Sequence, residues 1–91
     1  MNAEQAEAIA LQALGFLAAD PARLEAFMVT TGLTPDVLRA GASDPDTLVS
    51  VLDALLSDES ALLMFAADHN LKPEDVARAR ITLGGTYETS A

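Results

Sequence analysis

The side chains that could do chemistry in this chain are a single imidazole and a set of carboxylates. His69 is the only histidine, and Asp68 stands beside it. An imidazole next to an acid suits metal binding, but a zinc site draws several ligands from Cys, His and carboxylate groups. The chain has no cysteine and no second histidine, so His69 reads as a structural residue at a helix end. Asp44, Asp46 and Asp53 raise calcium. An EF-hand loop needs a dense run of oxygen ligands, a central glycine and a closing glutamate, and Pro45 and Leu48 interrupt any such run. Capping accounts for Asp44, and solvation for Asp46 and Asp53. Asp58-Glu59 and Glu74-Asp75 are paired acids of the kind that serve acid–base catalysis. Both pairs fall at expected helix starts, where the positive end of the helix dipole favours carboxylates in any case. Gly84-Gly85 lacks the additional glycine, the lysine and the preceding strand of a phosphate-binding loop, and reads as a helix stop. No catalytic, cofactor-binding or metal-ligating residue is assigned, and the expectation is a protein that is not an enzyme.

The elements that would position these residues are helices, and the acids announce their starts. Asp20 precedes Pro21, and Asp44 precedes Pro45. An Asp carboxylate accepts otherwise unpaired N–H groups at a helix start, and proline fits the first helical position because it has no N–H to leave unpaired. Leu24, Phe27, Met28 and Thr31 then recur at helical spacing, and Gly32 is suited to the left-handed conformation that closes a helix. The unit returns. Residues 13–40 lie over 51–78 without gaps, with Leu14/Leu52, Leu17/Leu55, Asp20/Asp58, Leu24/Leu62, Phe27/Phe65, Leu33/Leu71 and Pro35/Pro73 identical. Gly32 faces Asn70 in this alignment, and Asn is the non-glycine residue that best tolerates the left-handed position. The spacing predicts helices over 1–19, 21–31, 35–40, 45–56, 59–68 and 73–82. Arg78 and Arg80 suit the negative end of the last of them. Gly15 either weakens the first helix or admits a close neighbour.

Ninety-one residues make one domain, with net stability of about 5 kcal/mol. The fold class expected is all-α: a compact bundle of about six short helices in two pseudo-repeated halves, with consecutive helices packed as neighbours. The helical domain spans 1–83, and 84–91 form a flexible tail. The net charge is −9, and no Lys or Arg lies between Arg39 and Lys72. Direct nucleic-acid binding is not expected, because phosphate neutralisation needs a basic surface. No apolar stretch approaches the ~20 residues of a membrane span, and no basic segment opens the chain as a secretory signal would. A cytoplasmic protein without membrane, cofactor or small-molecule ligand is expected.

A resemblance covers nearly the whole chain. It is carried by Ala8-Ile9-Ala10-Leu11, Phe16-Leu17-Ala18-Ala19-Asp20-Pro21-x-x-Leu24-x-x-Phe27, Thr31-Gly32-Leu33, Leu38-Arg39, Asp44-Pro45, Val51-Leu52-Asp53, Leu55-Leu56-x-Asp58-Glu59 and Pro73-Glu74-x-Val76-x-x-Ala79-Arg80. In these residues the chain resembles domain of unknown function 3572, a family of small bacterial proteins. The resemblance implies a short helical protein and transfers no activity.

The two copies differ most usefully in their second helices. Arg23, Glu25 and Ala26 of the first become Ala61, Leu63 and Met64 of the second. Leu62 and Phe65 already supply the core stripe, so Leu63 and Met64 are additional apolar residues. Either the fifth helix is central and covered by the first, fourth and sixth, or Leu63 and Met64 form a surface for a protein partner or a homodimer. The leading functional reading is a non-enzymatic protein-interaction or adaptor module. The other readings are an enzyme with an unrecognised carboxylate site and an acidic regulator of a nucleic-acid-binding protein.

Overall fold

Helix starts in this chain are made by short polar side chains folding back on the backbone. The computed structural model describes residues 1–40 and 44–84 and contains α1 (Ala3–Ala18), α2 (Pro21–Thr31), α3 (Pro35–Ala40), α4 (Pro45–Leu56), α5 (Glu59–Asp68) and α6 (Pro73–Gly84). All-α architecture with two related halves is therefore the fold. Asp20 Oδ1 accepts from Ala22 N–H at 3.1 Å, Asp44 Oδ1 from Asp46 N–H at 3.1 Å and Asp58 Oδ1 from Ala61 N–H at 3.2 Å. α1 begins two residues later than expected because Asn2 is its cap. Gln5 N–H donates to Asn2 Oδ1 at 2.7 Å, and Asn2 N–H donates to Gln5 Oε1 at 3.2 Å. This reciprocal pair satisfies two donors that would otherwise lack partners. At the other end of the chain α6 runs on to Gly84, past the expected stop at Thr82. The tail expected after it falls on 85–91, outside the described residues.

The two halves also end their second helices alike. Gly32 has φ 75°, and Asn70 has φ 55°. Leu71 N–H donates to Ala66 O at 2.8 Å and Asn70 N–H to Ala67 O at 3.4 Å, the paired closure that a left-handed residue permits. Asp20→Ala and Asp58→Ala should each lower stability by about 0.5–2 kcal/mol. Chemical denaturation measures this, and two unchanged midpoints would remove the capping assignment. Asp20 should sit at the upper end, since its other oxygen takes an ion pair from Arg23 at 3.0 Å.

α1, α4 and α6 pack on one another and form the centre. α1 turns Ala6, Ile9, Ala10, Ala13 and Leu17 inward, a stripe at helical period. α4 contributes Leu48, Val51, Leu52 and Leu55, and α6 contributes Val76 and Ala79. Small residues on α1 and α6 let the two helices approach closely. α2 lies on α1 and α4, while α5 lies on α4 and α6. Chain neighbours are thus not always packing neighbours. The pairing of α1 with α6 joins opposite ends of the sequence, whereas α3 is held chiefly by Leu38, its one buried residue. A six-residue helix with a single inward side chain cannot bury enough apolar surface to do more.

Gly15 is not a site of close approach. A Cβ built there meets nothing within 4 Å, and the position is exposed. Gly15→Ala should therefore stabilise the protein by about 0.5–1 kcal/mol, because alanine loses less backbone entropy in a helix. A raised thermal midpoint is the expected readout, and a lowered one would mean that α1 needs the glycine.

Candidate interaction surface

Leu63 and Met64 are exposed. Their relative exposures are 50% and 48%, so the account in which α5 is covered on most sides is overturned. α5 buries Ala61, Phe65 and Ala66 and keeps Leu62 half-buried, while Ser60, Leu63, Met64 and Ala67 are exposed. At 100° per residue these four share one outer face. Periodicity correctly assigned Leu62 and Phe65 to the core. It could not say whether another helix would cover the opposite side, and none does, because α1 is engaged with α4 and α6.

Met64 is tied to the core through a short series of contacts. Arg23 Nη2 lies 3.7 Å from Met64 Sδ. The same guanidinium pairs with Asp20 and sits 5.4 Å over the Phe16 ring, where the ring's negative face attracts a cation. Phe16 meets Phe65 edge to face at 5.6 Å, and Phe65 lies 4.7 Å from the His69 ring. In the comparison of the two halves, Arg23 figures only as the counterpart of Ala61, with no contact of its own. The i,i+3 spacing of Asp20 and Arg23 was a usable signal for the ion pair, but nothing local announced the contact with Met64.

An open groove of about 390 Å³ lies among α2, α4 and the start of α5, with Arg23, Phe27, Asp53, Asp58 and Ala61 among its lining residues. Asp53 is not simply solvated, as expected, but holds Arg80, whose Nε donates to Asp53 Oδ1 at 2.9 Å. Arg80 accordingly serves a contact between α4 and α6 rather than only the end of its own helix. The Arg80 side chain is largely buried and the Asp53 side chain about half-exposed, so this pair is partly shielded from solvent screening.

The other residues considered for chemistry are placed as follows. His69 caps the end of α5 and stacks near Phe65. Asp44 and Asp58 are engaged as caps, and Asp75 Oδ2 accepts from Lys72 N–H at 3.0 Å. Glu59 and Glu74 are exposed. Among the described residues no three His, Asp or Glu side chains are grouped to hold a metal ion. No helix among them is long and apolar enough to cross a membrane.

The description of a family, "protein of unknown function (DUF3572)", matches residues 3–86. The chain belongs to that family. No curated protein and no solved structure matches it. The DUF3572 match spans all six helices, so both halves of the pseudo-repeat and the α5 face lie within the family region.

Proposed function

We propose that this chain is a small, non-enzymatic interaction module of the cytoplasm, and that the outer face of α5 receives its protein partner. The observation that carries this reading is the exposure of Leu63 and Met64 at positions where the first half has Glu25 and Ala26. A flexible, polarisable methionine beside an exposed leucine is suited to an adaptable contact, and contiguous exposed apolar surface is informative where single exposed residues are not. The charge around it selects the partner. Glu59 and Asp68 flank the face, Arg23 reaches Met64 from α2 with its charge paired to Asp20, and the whole chain carries −9. Two copies would bring like charges together, whereas a segment combining apolar side chains with Lys or Arg would find complementary potential. A non-catalytic role is supported by Asp58 and Asp75, whose carboxylates already accept backbone hydrogen bonds.

The test uses an amphipathic peptide of alternating Leu and Lys helical faces, labelled for fluorescence anisotropy. Wild-type protein should bind it saturably, and binding should weaken as salt rises, because exposed charges are screened. Leu63→Glu combined with Met64→Lys should leave helical circular dichroism and cooperative melting intact, since both side chains are exposed, and should abolish binding. A variant that unfolds would make the pair structural. A folded variant with undiminished binding would place the partner elsewhere.

A further inference from the structure

The pseudo-repeat shows where the first half stays open. In the second half α6 packs on α4 and α1, and Asp53 and Arg80 join α4 to α6. In the first half Gly15 occupies the position equivalent to Asp53. Glycine has no side chain to form such a pair, and among the described residues α3, the counterpart of α6, spans six residues against twelve. A groove of about 350 Å³ lies among α1, α2 and α3, lined by Leu14, Ala18, Leu24, Pro35, Leu38 and Arg39. The equivalent positions in the second half are Leu52, Leu56, Leu62, Pro73, Val76 and Ala77, and there Leu52 and Val76 are fully buried. Leu38, like its counterpart Val76, is buried, so the two halves differ at Leu14, which is only half-buried in the groove. The groove's single charged lining residue, Arg39, stands where the closed half has alanine.

We propose that this groove binds a free linear aliphatic carboxylate, with its chain along Leu14, Leu24 and Leu38 and its carboxylate on Arg39. The lining excludes other classes. No aromatic ring lines the groove to stack on a planar ligand. No hydroxyl or amide side chain lines it, so a polyhydroxylated ligand would lose its hydration without replacement. A cation would meet Arg39 unfavourably. The Arg39 guanidinium is 79% exposed, and its pairing with Asp36 is long, at 3.8 Å, so little is lost when it turns to a new carboxylate; guanidinium–carboxylate pairing is favourable and directional. The volume lies at the small end of the ~300–1,000 Å³ typical of ligand clefts, which suits a single chain. The negative charge of the whole protein opposes an approaching anion, but salt at about 0.1 M limits that field to roughly 10 Å. The groove shares no lining residue with the α5 face, so the two readings stand or fall separately.

Decanoate, kept below its micelle-forming concentration, is the probe, and amide chemical shifts of the full chain are the readout. Binding should saturate, with shifts centred on Leu14, Leu24, Leu38 and Arg39. Arg39→Gln should weaken it by about three- to fivefold, the worth of a solvent-exposed ion pair. Ala18→Leu, which copies the residue at the equivalent position of the closed half, should fill the groove and abolish binding while circular dichroism stays unchanged. Decanol and decyltrimethylammonium should bind more weakly than decanoate. Equal binding of the three amphiphiles, shifts centred on α5, absence of saturation, or an Arg39→Gln variant that binds as wild type would each overturn the proposal.

Discussion

Replacing Phe65 with alanine should cost about 3–5 kcal/mol, the range for removing a large aromatic side chain from a packed interior. Phe65 is fully buried and joins α5 to the rest of the molecule through its edge-to-face contact with Phe16. Such a contact adds about 0.5–1.5 kcal/mol beyond area burial. A small domain of this size has about 5 kcal/mol of stability in total. Phe65→Ala should therefore leave a large unfolded fraction at 25 °C, visible as lost helical circular dichroism before any denaturant is added. Phe16→Ala should do less, since Phe16 is only half-buried. A Phe65→Ala protein that melts near the wild-type midpoint would mean that α5 contributes little to the fold.

The second large effect comes as a matched pair. Leu52 and Leu14 are the same residue at equivalent positions, but Leu52 is fully buried while Leu14 is half-buried and lines the open groove. Leu52→Ala should cost about 2–5 kcal/mol, the transfer term plus the cavity left behind. Leu14→Ala should cost about 1 kcal/mol, because less apolar surface returns to water and no closed void forms. Denaturant titration of both variants gives the difference directly. Equal losses would mean that the two halves close over their leucines alike, and that the groove does not persist in solution.

The helices were legible because their ends are written in local chemistry. Asp20-Pro21, Asp44-Pro45, Gly32 and Asn70 each act within a few residues of their own position, so both ends of α2, the start of α4 and the end of α5 fall where these residues place them. Asn2 and Gln5 carried the same kind of signal and were overlooked because the apolar pattern of α1 begins beyond them. The surface was less legible, for a physical reason. A helical period tells which side chains share a face, but burial of that face depends on which distant helix arrives. Leu63 and Met64 are exposed because α1 is committed to α4 and α6. Asp53 and Arg80 meet across 27 positions of sequence, a distance over which spacing carries no information. Capping accounts for Asp58 from sequence and from structure alike.

The pairing of α1 with α6 has a topological consequence. The Thr82 hydroxyl donates to the Met1 carbonyl at 3.5 Å, so the first described residue and the last helix lie side by side. The described chain is close to a ring with one cut in it. Joining the chain near Met1 and Thr82 and opening it between the two halves would leave the α1–α6 contact within one continuous stretch. The order in which the halves are synthesised would reverse, while the set of contacts that defines the core would be kept. Permutation of this kind is tolerated where ends are adjacent and at the surface.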